Sequence, residues 1–318
     1  MGNLNALSCP SCNSLIAAVE YLPGSRVRPQ SATSYASCLR RCEPCGIGYS
    51  NARDSEKAVV IYRDPLANIP QAVRAGAREA LSHALNILNR TSKLKKFAFE
   101  TSEDAITWTV FRHLQAEGLL RAVLRGCRLP HAASAAGEPE LLLWGVPVPA
   151  ENPSGRLVQE QLTAILDGIG DNPKSRSEPD VVLDFGQDGL VVIEVKHRSG
   201  NDIKPTNYYG WQRYRKNTAA FTDTNRLCDT GLYELARNWR IGWELAKDRS
   251  FTLVNLAPAE FFQGPQCGPL AEFQQCLAIS ERTHFLELTW DQVIAAIPQK
   301  PDWLGQHLRA RRVGLASL

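Results

Sequence analysis

Two apolar runs in "SEPDVVLDFGQDGLVVIEVKHRSG", residues 177–200, carry Asp180, Glu194 and Lys196 at their ends. Side chains of a strand alternate between faces, so Glu194 and Lys196 share one face while Val191, Ile193 and Val195 fill the core from the other. A hairpin closed by a three-residue loop, Gln187-Asp188-Gly189, sets Asp180 opposite Lys196 and Val182 opposite Glu194. Both carboxylates and the lysine then meet at one end of the hairpin. A two-residue turn slips the register by one and sends Asp180 to the other face. Carboxylates this close repel unless a cation lies between them. A hard divalent ion, Mg²⁺ or Mn²⁺, takes oxygen ligands, which Asp180, Glu194 and the carbonyl of Val195 can supply. Such an ion lowers the pKa of a bound water, and Lys196 can orient that water or hold developing negative charge. This is the chemistry of metal-assisted phosphodiester hydrolysis. The competing reading is a solvated strand edge with a weak ion pair.

A second constellation lies near the N-terminus. "CPSC" and "CEPC" place Cys9, Cys12, Cys42 and Cys45 in two Cys-x2-Cys pairs. Each pair can deliver two sulfurs from one tight turn, and four soft ligands make a closed tetrahedral zinc site of structural type. The gap between the pairs exceeds the common ribbon spacing, which requires an inserted loop. Cys38 competes for a place in the site, and disulfides or free thiols are the remaining alternative. Arg26, Arg28, Arg40, Arg41 and Arg53 flank the pairs, where they either track a phosphate backbone or solubilise a small module.

The elements that must position these groups can be read from periodicity. Residues 1–58 form the cysteine module and 59–318 an α/β domain. Residues 70–91 have helical spacing. A helix follows in "TSEDAITWTVFRHLQAEGLL", with Ser102 at its N-cap and Glu103 and Asp104 in its first turn. "PELLLWGVPVP" reads as a strand, "GRLVQEQLTAILDGIG" as a helix, then the hairpin. Helices are expected in "NYYGWQRYRKNTAAF" and "GLYELARNWRIGWELAKD", a buried strand in "FTLVNLAP", and a strand leading into a Thr289-capped helix in "HFLELTWDQVIAAIP". The chain has 318 residues and a formal charge of +3, a weak lean toward acidic partners. No apolar run is long enough for a membrane span, and the N-terminus lacks the pattern of a secretory signal, so a cytoplasmic protein is expected.

Pro179-Asp180 followed by Glu194-Val195-Lys196 on the next strand resembles the PD-(D/E)xK nuclease superfamily. The resemblance covers about residues 100 to 256. It implies a restriction-endonuclease-like core: a helix, a three-stranded meander bearing the motif, a helix and a further strand. It also implies a metal-dependent endonuclease acting on DNA, in restriction or anti-phage defence, with DNA repair or an RNA substrate as alternatives. A homodimer and a partner protein of a defence system are implied in the same way. Glu103 matches the glutamate that many members carry on the first core helix, aimed at the metal. Gln212, Arg213, Tyr214, Lys216 and Arg237 are candidates for nucleic-acid contact, with Asn238 beside Arg237, and His197 follows the motif directly. The opposing hypothesis is a non-catalytic nucleic-acid-binding protein, though no catalytic position is replaced.

Overall fold

The computed structural model describes residues 2–21, 30–84, 87–130, 135–174, 176, 178–265 and 267–314. A six-stranded mixed sheet forms the centre. Its strands are β1 (Glu140–Leu143), β2 (Val146–Pro147), β3 (Val181–Asp184), β4 (Leu190–Val195), β5 (Phe251–Ala257) and β6 (Thr283–Thr289), in the order β6-β5-β4-β3-β1-β2. Strands β4, β5 and β6 run parallel, while β4-β3-β1-β2 is an antiparallel meander. Both faces of the sheet are covered, so β3, β4 and β5 are buried at every position. Val191, Ile193 and Val195 pack into one core with α2 (Glu103–Ala116). Leu190 and Val192 pack into a second core with α4 (Tyr233–Ala246), against which α3 (Pro153–Gly168) also lies. A further helix, α1 (Ile87–Phe97), packs on α2.

The hairpin register differs from the expected one. Val181 pairs with Ile193, Val182 with Val192 and Asp184 with Leu190. The loop therefore spans residues 185–189, closed by the Phe185 N–H donating to the Gly189 carbonyl at 2.9 Å. Gly186 and Gly189 both take positive φ, and a Cβ on Gly189 would lie 3.0 Å from the Ser250 carbonyl oxygen. The shift is two residues, an even number, so every side chain keeps its face. Asp180 falls level with Glu194 rather than Lys196.

Two helical expectations also change. Residues 70–91 break into Gln71–Val73, Ala77–His83 and the start of α1, with Gly76 in the left-handed region at a φ of 79°. Residues 207–221 hold only a five-residue helix, Trp211–Arg215. Ser102 caps α2 by accepting the Ala105 N–H, and Thr289 forms a capping box with Gln292.

The N-terminal module contains a three-stranded sheet of Arg40–Cys42, Ile47–Tyr49 and Val60–Tyr62. Its last strand pairs outward as well. Tyr62 N–H donates to the Ala98 carbonyl and Glu100 N–H to the Val60 carbonyl, both at 2.9 Å. Arg40 is buried, and its guanidinium donates to the carbonyls of Asn5, Ser50 and Ala52, so it braces the module from inside. Arg26 and Arg28 lie outside the described residues.

Candidate active site and metal centre

The end of the hairpin opens into a cleft of about 580 Å³. Asp180, Glu194, Lys196, Glu103 and Arg237 all line it, together with Lys93, Asp104, Glu178 and Glu234. Asp180 Oδ2 accepts the Val195 N–H at 2.9 Å, which ties the start of β3 to the end of β4. Lys196 Nζ lies 2.7 Å from Glu194 Oε1 and 2.8 Å from Glu234 Oε2. The other Glu194 oxygen accepts Asn238 Nδ2 at 2.6 Å and stands 3.8 Å from the Arg237 guanidinium. Glu234, Arg237 and Asn238 share one face of α4 by their i, i+3, i+4 spacing.

These contacts decide the protonation states. Burial raises the Asp180 carboxyl well above the usual range, and the neighbouring Glu194 charge pushes it further. Burial opposes the charge on Lys196, but Glu194, Glu234 and Asp180 overcome it and hold the ammonium above the ordinary lysine range. Burial likewise opposes ionisation of Glu234, and Lys196 and Arg237 reverse this, bringing it down to about 2. Glu194 and Glu234 thus have a resident cation. The charges of Lys93 and Lys196 draw Asp180 down only in part against its burial and the Glu194 charge, so the pair Asp180–Glu194 is a buried set of hard oxygen atoms that favours a shared proton.

Glu103, which lines the cleft, also holds the chain. Its Oε2 accepts the His197 N–H at 2.6 Å and the Ser199 hydroxyl at 2.7 Å. It therefore clamps the segment leaving β4 to the N-terminus of α2. His197 is buried, at 7% exposed. Of the five nucleic-acid candidates, only Arg237 lines the cleft. Arg213 is held 2.7 Å from buried Asp171, and Tyr214 is buried edge-on against Tyr233. Gln212 and Lys216 are exposed. Sequence reading did not single out Lys93, Glu178 or Glu234. Glu234 had a signal: it completes the polar face of an otherwise apolar helix.

In the N-terminal module, the sulfurs of Cys9, Cys12, Cys42 and Cys45 lie within 4.8 Å of one another. Four thiolates on a tetrahedral zinc with bonds of about 2.3 Å stand about 3.8 Å apart. Cys12 and Cys42 are already 3.8 Å apart. Each knuckle turns after its second cysteine through a left-handed residue, Asn13 at a φ of 58° and Gly46 at 63°. Hydrogen bonding to Ser14 draws the Cys12 thiol down to about 6, while hydrogen bonding to Cys12 pushes Cys45 up to about 12. Four thiols this close share protons until a cation replaces them. The cluster can hold a structural metal such as zinc. Cys38 lies elsewhere, in a small core with Ile61 and Ala98, where burial pushes its thiol up to about 11. It sits over Gly48, where a Cβ would come within 2.7 Å of its sulfur.

Comparison with known protein families, with curated proteins and with solved structures finds no match to this chain. No described helix is long and apolar enough to cross a membrane.

One buried and one half-buried histidine set an acid limit on the fold. Burial lowers His197 to about 4, helped by the Arg198 charge, and lowers His307 to about 3, helped by Arg311. Below about pH 6.5 the unfolded chain takes up protons that these folded imidazoles refuse. Stability therefore falls as pH drops from there toward the folded values, each unit of depression being worth about 1.4 kcal/mol. Between pH 7 and pH 5 the urea midpoint of the wild type is expected to lose ground to that of His307→Gln. Equal slopes in the two proteins would remove His307 from this account.

Proposed function

We propose that this protein is a metal-dependent endonuclease that hydrolyses DNA phosphodiester bonds with a PD-(D/E)xK-type site. The observation that carries the reading is Asp180 level with Glu194, with Lys196 on the same face, at an open cleft. The element order supports it: helix α2, the antiparallel strands β1, β3 and β4, helix α4, then β5 parallel to β4. This is the order that a restriction-endonuclease-like core requires, with α3 inserted between β1 and β3.

A divalent ion held by Asp180, Glu194 and the Val195 carbonyl would supply an activated water and offset phosphate charge. The chain's own residues do the rest. Lys196, kept charged by Glu194 and Glu234, is a donor at Nζ to the developing anionic oxygen and not a proton acceptor. Asn238 and Arg237 fix the Glu194 carboxylate from the α4 side. Glu103 fixes the exit of β4, so Lys196 cannot swing away with a loose loop. Exposed Lys96 and Arg198 line the same cleft, where they can meet the phosphates on either side of the scissile one.

The test is cleavage of supercoiled plasmid by purified protein with Mg²⁺, with Mn²⁺ and with EDTA, beside Asp180→Ala. Metal-dependent cutting that the substitution abolishes is the expected result. Cutting that survives Asp180→Ala overturns the assignment. Absence of cutting on plasmid, with metal-dependent cleavage of RNA, moves the substrate and keeps the site. Metal-independent binding of DNA without hydrolysis of either favours the non-catalytic reading.

A further inference from the structure

The cleft has a second acidic wall that the hairpin motif does not account for. Asp104 at the start of α2 and Glu178 just before β3 stand on the far side of Asp180. Glu178 is only 5% exposed. Between these acids sits Lys93, from α1, well outside the stretch that carries the motif. Its Nζ is 3.4 Å from Asp104 Oδ1 and 3.7 Å from Glu178 Oε1.

A hydrated hard divalent ion would need oxygen ligands on most sides of such a position. One side here is an aromatic face instead: Lys93 Nζ lies 5.3 Å from the ring of Trp144. That placement is built at a cost. Trp144 occupies the turn between β1 and β2 with a φ of 52°, and Gly145 follows at 75°. Such turns favour Asn-Gly, and a bulky residue with positive φ is strained. Its N–H donates to the Asp180 carbonyl, and its indole stacks on Trp108 at 6.1 Å. An aromatic face attracts an ammonium but offers nothing to the inner shell of a hard divalent ion.

Charge points the same way. Six carboxylates and five cationic side chains line the cleft. Without Lys93 the deficit would be two charges, which one divalent ion would only just balance. With it, one divalent ion more than neutralises the site.

We propose that Lys93 is a built-in cation that takes the place of a second metal ion, so the site works with one divalent ion held by Asp180 and Glu194. This rests on the nuclease reading above. Lys93 acts on the reaction by holding Asp104, Glu178 and the Asp180 side of the cleft in place, as a positioning residue, and by keeping that wall from binding metal.

The experiment is Mn²⁺ stoichiometry, by calorimetry and by the electron paramagnetic resonance of bound Mn²⁺, on the wild type, Lys93→Gln and Lys93→Arg. One ion is expected in the wild type and in Lys93→Arg. In Lys93→Gln a second ion is expected, with Mn²⁺–Mn²⁺ coupling in the spectrum and cleavage down about 10²-fold, the size of loss that follows a small misplacement of the reacting groups. Two ions in the wild type overturn the proposal without recourse to any variant. So does a single ion in folded Lys93→Gln with cleavage unchanged. No bound ion in the wild type removes the metal-dependent reading itself, and this inference falls with it. One ion in the wild type with an unaltered Lys93→Gln count leaves that reading standing and sinks only the role of Lys93.

Discussion

Lys196→Ala is expected to abolish cleavage and to destabilise the fold, and added metal should repair only the second defect. The lysine side chain is 8% exposed and serves two carboxylates, Glu194 at 5% and Glu234 at 24%. Removing it leaves Glu194 buried beside Asp180 with only the more distant Arg237 as cation. Breaking a buried pair in this way costs about 3–5 kcal/mol. Mg²⁺ between Asp180 and Glu194 returns positive charge to the same carboxylates, so the loss in thermal midpoint should be large in EDTA and smaller in Mg²⁺. The donor at Nζ is not returned, and cleavage in saturating Mg²⁺ should stay down by about 10²–10³-fold or more. Paired melting curves and plasmid assays separate the two effects. Equal destabilisation with and without metal would mean that no ion enters between these carboxylates.

Purified protein is expected to contain one zinc per chain. Cys42→Ser should lose it and open the module, while Cys38→Ser should keep it. The core around the knuckles themselves is small: Cys9, Ile16, Cys42, Ile47 and Val60. A structural zinc contributes about 10–16 kcal/mol of apparent binding energy in small metal-held folds, far more than five partly polar core positions supply. Chelation should make the chain before Tyr62 sensitive to protease while the six-stranded sheet stays protected. Metal content and limited proteolysis measure both. A Cys38→Ser protein that loses zinc as Cys42→Ser does would place Cys38 in the site after all.

The parts of the site that were legible in the sequence are those set by local rules. Strand parity put Glu194 with Lys196 and, through the hairpin, Asp180 on the same face. Parity survives a slip of two residues, so the face was right although the pairing partner was not. Loop length was not legible, because glycines at 186 and 189 both permit left-handed backbone and more than one turn satisfies the pattern. The cysteine pairs were legible for the same local reason, and Cys38 was ambiguous only until packing placed it over Gly48. What could not be read was convergence from distant elements. Lys93, Glu178 and Glu234 come from α1, the approach to β3 and α4, and nothing in their neighbours' spacing says that these will meet. The partners of residues close together in the sequence are equally hidden. Arg213 and Tyr214 look like a basic aromatic surface in a row of letters, but Asp171 and Tyr233 hold them in the structure.

The strand Val60–Tyr62 has neighbours on both edges, the module sheet on one and the Ala98–Glu100 segment on the other. Two residues beyond that segment, Ser102 caps α2 and Glu103 grips the exit of β4. The strand is therefore a splint, made of main chain, between the cysteine module and one wall of the cleft. Side chains also brace the joint, since Cys38, Ile61 and Ala98 share a small core across it and Glu100 Oε2 accepts the Val60 N–H at 3.3 Å, and replacing any one of them leaves the main-chain bonds in place. A proline at Tyr62 would be different: it deletes the N–H that reaches Ala98, and with it part of the joint.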